Sequence, residues 1–218
     1  MRTLAIIPAR GGSKGVPRKN IKLLAGKPLI VYTIQQAKES KYIDEVVVST
    51  DDLEIKEISK AYLATVVDRP NELATDIATT ELVIEHVLNK ISDYECIVLL
   101  QCTSPFRTTE DIDNAIEMYR TGKYASVFSA KESDALLWVK NGNYVSPINF
   151  FNAERTMRQQ MNQYEENGAI YVFGRRGFEN YKSRLYSFKG MYIMPEERSL
   201  EIDTEEDFRY ASWRKMNE

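Results

Sequence analysis

The sequence has one histidine, two cysteines, no long apolar run and no acidic residue before Glu39. The single imidazole, His86, sits in a predicted helix whose apolar face is Leu82, Val83, Val87 and Leu88. It reads as a structural or surface residue. No Ser-His-Asp or Cys-His grouping is present, so covalent hydrolase chemistry has no support. Cys96 and Cys102 flank one apolar strand without metal-ligand spacing. They read as reduced thiols of a core, which favours a cytoplasmic protein. The longest apolar runs, such as Ile97-Val98-Leu99-Leu100, are strand-sized and too short to span a bilayer. The first residues run from Arg2 through a short apolar stretch into a basic loop, unlike a secretory leader.

The missing acids matter most. Residues 1–38 carry eight basic side chains and no acidic one, whereas the rest of the chain carries 21 basic against 32 acidic. The net charge is −3. Nucleic-acid binders usually spread positive charge over a basic protein. Positive charge gathered in one place on an acidic protein instead fits a pocket for a compact anion such as a triphosphate. The expectation is therefore no nucleic-acid partner and no membrane. With 218 residues, 43% hydrophobic and 28% charged, the chain has the size and composition of one ordinary globular domain spanning residues 1–218.

Strands and helices alternate. Apolar patterning predicts strands at 3–8, 45–50, 65–67, 96–101 and 125–129, with helices at 28–38, 53–62, 81–91 and 110–119. Continuous apolar strands separated by helices imply an α/β fold, a mostly parallel sheet covered on both faces. Ligands in such sheets lie outside the carboxyl ends of the strands, here just after Pro8, Thr50, Val67 and Gln101. From about 134 to 190 the rhythm breaks. Asn141-Gly142-Asn143 between Leu136-Leu137-Trp138-Val139 and Tyr144-Val145 signals a hairpin. A polar stretch, a strand at 169–173 and a segment carrying Tyr181, Tyr186, Phe188 and Tyr192 follow. This interval reads as a lid or dimerisation arm, so a homodimer is expected.

The first strand runs into Pro8-Ala9-Arg10-Gly11-Gly12-Ser13-Lys14-Gly15-Val16-Pro17-Arg18-Lys19-Asn20. That is neither a dinucleotide fingerprint nor a P-loop. The physics is related: Gly11, Gly12 and Gly15 permit positive φ and a close approach of backbone N–H groups to an anion, and Arg10, Lys14 and Lys19 supply charge. Near the C-terminus, Glu201 and Asp203 are two apart, so in an extended segment both face one side and converge on a cation such as magnesium. Thr204 and Asp207 are spaced to cap the last helix, and Asp203 could belong to that cap. Asp51-Asp52 is a competing metal site, although its position favours a cap on the helix that begins at Leu53.

The block 6–21 closely resembles the signature loop of the acylneuraminate cytidylyltransferases, the CMP-sialic acid synthetase family. Val48-Ser49-Thr50-Asp51, Arg69-Pro70-Asn71-Glu72-Leu73-Ala74 and Leu100-Gln101-Cys102-Thr103-Ser104-Pro105-Phe106-Arg107 continue the resemblance in order. So do Arg158-Gln159-Gln160, Asn167-Gly168-Ala169-Ile170-Tyr171 and Glu201-Ile202-Asp203-Thr204. The resemblance implies a three-layer, Rossmann-like fold of the nucleotide-diphospho-sugar transferases and an Mg2+-dependent enzyme. Such an enzyme joins CTP to a 2-keto sugar acid and releases pyrophosphate, in cell-surface glycan biosynthesis.

The resemblance also assigns residues. Arg10, Gly11, Ser13, Lys14 and Lys19 would hold the phosphates and Asn20 the nucleoside. Arg69 would donate to cytosine, although alone it could equally be a helix-end ion pair. Thr80 would reach the nucleotide or cap its helix. Gln101, Arg158, Gln159, Asn167 and Tyr171 would bind the sugar acid or line its pocket. Arg10, Lys14 and Asp203 would carry catalysis. The chain departs from the family in having Glu201 where an aspartate is usual. Legionaminic, pseudaminic and 3-deoxy-octulosonic acids are alternative acceptors, and a non-catalytic nucleotide sensor is the alternative of another class.

Overall fold

A computed structural model describes residues 1–150, 157 and 162–217 of the chain. Arg158 and Gln159 lie outside the described residues. In chain order the elements are β1 (Thr3–Pro8), β2 (Leu23–Leu24), β3 (Lys27–Pro28), α1 (Leu29–Glu39), β4 (Glu45–Thr50), α2 (Leu53–Ala61), β5 (Thr65–Asp68) and α3 (Thr80–Leu88). They continue with β6 (Cys96–Leu100), α4 (Thr109–Arg120), β7 (Ser126–Glu132), β8 (Trp138–Asn141), β9 (Tyr144–Pro147), β10 (Tyr164–Gly174), α5 (Arg175–Tyr181), β11 (Lys189–Ile193) and α6 (Glu205–Asn217).

Seven strands form one sheet in the order β11-β7-β10-β6-β1-β4-β5. All its pairings are parallel except those of β10, which runs antiparallel to both β6 and β7. Successive residues of β1 point to opposite faces, and each face has its own apolar layer. Ala5 and Ile7 pack with Ile30 and Ile34 of α1, Ile55 of α2 and Ile112 and Ile116 of α4. Leu4 and Ile6 pack with Ile84, Val87 and Leu88 of α3 and Phe178 of α5. The result is the three-layer α/β arrangement that the alternation implies. No helix among the described residues is long and apolar enough to cross a membrane.

The 134–190 interval is not wholly an arm. β10 lies inside the sheet between β6 and β7, α5 covers one face, and β11 forms the sheet edge. The hairpin β8–β9 makes its own two-stranded sheet, as the Asn-Gly-Asn turn predicts, with Gly142 at φ 61. The aromatic cluster also divides. Tyr186 stacks on Tyr181 with centroids 5.1 Å apart and bonds Gly174, and the Tyr192 hydroxyl donates to Asp111 at 2.9 Å. Exposed apolar side chains gather on the hairpin, where Trp138 is 51% and Tyr144 83% exposed.

A third apolar cluster sets the geometry of the carboxyl edge of the sheet. Val16, Leu24, Leu29, Phe106, Ile202 and Phe208 are buried together. Val16 anchors the glycine loop and Ile202 anchors the acidic segment. Burying Ile202 turns Glu201 and Asp203 to the opposite side of an extended stretch.

Candidate functional site

Just beyond the carboxyl ends of β1, β5 and β6 lies a cleft of about 260 Å3. Arg10, Gly12, Ser13, Lys19, Asn20, Arg69, Thr80 and Gln101 line it. Most of the residues assigned to nucleotide therefore share one wall system. The placement follows from β1 and β6 being neighbours, which brings the glycine loop beside Gln101.

The glycines act by close approach rather than by left-handed backbone. None of Gly11, Gly12 or Gly15 has positive φ, whereas Arg18 does, at φ 56. A Cβ on Gly15 would stand 1.9 Å from the Asp203 carbonyl oxygen, and one on Gly11 would stand 2.7 Å from the Asp52 carboxylate. The loop can lie against the acidic segment only with hydrogen at position 15. Asn20 Nδ2 donates to the Arg10 carbonyl at 3.0 Å and closes the loop on itself. Lys19 Nζ donates to the Ile202 carbonyl at 2.7 Å and to Asp203 Oδ1 at 3.2 Å.

Arg69 is buried, and its Nη2 donates to the Ser49 carbonyl at 2.6 Å while Nε reaches Ser49 Oγ at 3.2 Å. Burial pulls its guanidinium down to a pKa of about 10, so it stays charged at neutral pH. Its Nη1 makes no hydrogen bond among the described residues and remains a donor at the cleft. Among the described residues no carboxylate lies within ion-pair distance of it, although the Asp51 charge nearby partly offsets the burial, so the helix-end ion pair is not its role there. Thr79, not Thr80, caps α3 by accepting from the Leu82 N–H at 3.3 Å. That leaves the Thr80 side chain to the cleft.

The carboxylates sort by position. Asp52 accepts from the Glu54 and Ile55 N–H groups at 3.0 Å, capping α2, and pairs with Arg18. Asp51 Oδ1 accepts from the Gly11 N–H at 3.0 Å. Thr204 and Asp207 cap α6 reciprocally: Asp207 N–H donates to Thr204 Oγ1 at 3.1 Å and Thr204 N–H to Asp207 Oδ2 at 2.8 Å. The Asp203 side chain takes no part in that cap and is 65% exposed. Glu201 accepts from Thr103 Oγ1 at 3.3 Å and lies beside Gly168, whose φ of 68 marks an irregularity between Glu166 and Tyr171 in β10. Loss of solvent, and then the nearby Asp203 charge, raises the Glu201 acid above its ordinary value.

Two carboxylates on one side of an extended stretch, the Glu201 acid raised in part by the Asp203 charge, have the hard oxygen donors that a divalent cation takes. Among the described residues no three His, Cys, Asp or Glu side chains cluster to hold a metal alone. Such an ion would take its remaining oxygens from substrate and solvent.

Two residues assigned to the sugar acid are engaged elsewhere. Asn167 is buried: its Oδ1 accepts from Ser129 Oγ at 2.6 Å and its Nδ2 donates to Ser199 Oγ at 3.0 Å. Tyr171 belongs to the apolar layer under α3, its hydroxyl bonded to Glu166 and its ring covered by Arg184 at 4.5 Å. The sequence reading missed Asp76. Its carboxylate pairs with Arg10 Nη2 at 2.7 Å and Lys14 Nζ at 2.9 Å, and the Lys14 ammonium and Arg10 guanidinium hold its acid below the usual carboxylate range. It also missed Arg107, fully buried beneath Gln101, donating to the Ala169 carbonyl at 2.7 Å and the Gln101 carbonyl at 3.3 Å.

A family model described as Cytidylyltransferase matches residues 4–216. The chain belongs to the cytidylyltransferase family. It is 38% identical over 217 residues to the N-acylneuraminate cytidylyltransferase of Escherichia coli O18:K1:H7, covering 97% of this chain and 52% of that protein. It is 38% identical over 219 residues to the CMP-N,N'-diacetyllegionaminic acid synthase of Legionella pneumophila, covering 95% of this chain and 94% of that one. The chain thus spans about half the length of several relatives it matches and nearly all of the Legionella protein. Among solved structures it superposes on a CMP:2-keto-3-deoxy-manno-octonic acid synthetase complexed with CTP at a TM-score of 0.77, with 19% identity and 100% and 99% of the two chains covered. The 4-diphosphocytidyl-2C-methyl-D-erythritol synthase of Anaerococcus prevotii follows at 0.71, with 17% identity and 99% and 96% coverage. At those identities the likeness speaks for the fold.

Proposed function

We propose that the chain is a cytidylyltransferase that activates a nonulosonic acid of the sialic type, using CTP and releasing pyrophosphate. The carrying observation is the cleft that gathers Arg10, Ser13, Lys19, Asn20, Arg69, Thr80 and Gln101 at the carboxyl edge of the sheet. The relatives' names, N-acylneuraminate cytidylyltransferase and CMP-N,N'-diacetyllegionaminic acid synthase, support this substrate class.

In this reading Arg10, Lys14 and Lys19 neutralise the phosphates, and the free Nη1 of Arg69 donates to cytosine O2 or N3. The anomeric hydroxyl oxygen of the acid forms a bond to the α-phosphorus, and the bond from that phosphorus to the bridging oxygen breaks. The electron pair leaves on pyrophosphate, and the hydroxyl proton passes to a base at the site, either Asp203 or solvent. Catalysis comes from positioning and charge neutralisation rather than covalent chemistry. Glu201 and Asp203 would hold magnesium, which supplies charge neutralisation at the phosphates. Gln101 and Thr103 face the acid.

Trp138, Tyr144 and Val145 on the hairpin dock a second copy, giving a homodimer whose mass light scattering would report. The buried thiols support a cytoplasmic setting: burial pushes Cys102 up to about 12, so it stays protonated. The work belongs to glycan biosynthesis. Pyrophosphate release with CTP and a panel of 2-keto sugar acids tests the reading. Turnover with CTP and a nine-carbon acid supports it, and equal turnover with purine triphosphates, or with neutral sugar phosphates alone, overturns it.

A further inference from the structure

Arg10 and Lys14, proposed to hold the triphosphate, already share a partner. Asp76 spans them, Oδ1 on Arg10 Nη2 at 2.7 Å and Oδ2 on Lys14 Nζ at 2.9 Å. Two like charges are drawn together by one anion, as a phosphate group would draw them. Asp76 belongs to the segment that walls one side of the cleft, with Leu73, Thr75, Ala78 and Thr80.

That segment has little else to hold it. Among the described residues, the backbone of 75–78 makes no hydrogen bond, and Thr75 Oγ1 reaches only back to the Glu72 carbonyl at 3.4 Å. Ile77 next to Asp76 is 90% exposed and contributes no packing. The two ion pairs of Asp76 are what fasten this wall to the glycine loop.

We infer that Asp76 is a counter-anion gate: its carboxylate clasps Arg10 and Lys14 across the cleft, and the nucleotide's phosphates gain those two cations only by displacing it. The inference rests on the proposed nucleotide site and adds a residue that sets its affinity. Competition outweighs any help Asp76 gives by pre-positioning the cations, because phosphates carry more charge and gather the same two side chains themselves. Phosphate binding therefore releases the 75–78 segment, and departure of pyrophosphate lets the clasp re-form. The carboxylate opposes pyrophosphate retention as well as CTP entry.

Calorimetric titration separates competition from scaffolding. Inorganic pyrophosphate, CTP, ATP and cytidine are titrated, at constant magnesium, into the wild-type chain, Asp76→Asn and Asp76→Glu, with melting temperatures recorded alongside. Two partly exposed ion pairs predict that Asp76→Asn tightens pyrophosphate and CTP by roughly 3- to 10-fold. Cytidine, which lacks phosphate, should stay within about twofold, because a competing anion acts only on phosphates. Asp76→Glu restores an anion and returns both affinities toward wild type. Unchanged or weaker pyrophosphate binding in Asp76→Asn overturns the gate. A wild-type chain that binds ATP as tightly as CTP would instead defeat the cytidylyl reading, and the pyrophosphate comparison still decides the gate.

Discussion

Replacing Gly15 by alanine tests the packing that joins the glycine loop to the acidic segment. The added Cβ would lie 1.9 Å from the Asp203 carbonyl oxygen and 3.1 Å from its carbon, both backbone atoms that cannot swing aside. Ordinary contact therefore requires the loop or the 201–203 segment to shift by about 1 Å. Ile202 is fully buried and its N–H is fixed to the Thr103 carbonyl at 2.9 Å, so the acidic segment resists. The loop moves instead, taking Ser13 and Lys14 with it and stretching the Lys19 bonds to Ile202 and Asp203. Overpacking of this kind costs about 1–3 kcal/mol of stability. A displacement near 1 Å between reacting groups costs on the order of 100-fold in rate. Steady-state pyrophosphate release should show that loss in kcat/KM for CTP, while the melting temperature falls modestly. Gly12→Ala is the control for stability: no atom lies within 4 Å of its Cβ position, so its melting temperature should match wild type. Activity of Gly15→Ala within threefold of wild type would refute the loop-to-segment contact.

Asp203→Asn should lower turnover by about 100-fold, the scale of one lost electrostatic group, with the fold intact because Thr204 and Asp207 keep the cap. Asp207→Asn should do the reverse, losing about 1 kcal/mol of stability in thermal melts with a smaller effect on rate. Glu201→Asp restores the usual spacing and should be nearly neutral in magnesium-dependent rate. Glu201→Gln should stabilise the chain at neutral pH. The folded acid is raised, so ionised Glu201 is costly above its folded pKa, and the gain should fade as pH falls to the ordinary carboxylate value and vanish below it. Melts from pH 4 to 8 read this directly. Asn167→Ala should destabilise by about 1–3 kcal/mol, because the Ser129 and Ser199 hydroxyls each lose one buried partner and keep only their backbone bonds, and it should leave KM for the sugar acid near wild type.

The central strands were legible because they are apolar on both faces: β1 and β4 begin and end where the pattern places them. The carboxyl-edge rule then located the cleft. β10 was harder, since Tyr164, Glu165 and Glu166 are exposed and only residues from Asn167 onward become buried, so its first half reads as polar loop. Two threonines in a row hid which one caps α3. Gly15 looked like a φ position, but its constraint is a contact with a residue far away in sequence, which local pattern cannot reveal. Asp76 carried no signal of its own. An isolated acid in a loop acquires meaning only when folding brings it to Arg10 and Lys14. Asn167 and Tyr171 matched a family block, yet burial in the sheet gives their polar atoms internal partners.

The most direct test of the central claim follows the phosphorus atoms of CTP through one turnover with a nine-carbon 2-keto sugar acid. With label on the α-phosphorus, the account predicts that it appears in a cytidine monophosphate ester of the acid. Label on the γ-phosphorus should leave as pyrophosphate. Label from the γ position on the acid, or release of inorganic phosphate without an ester, would contradict it.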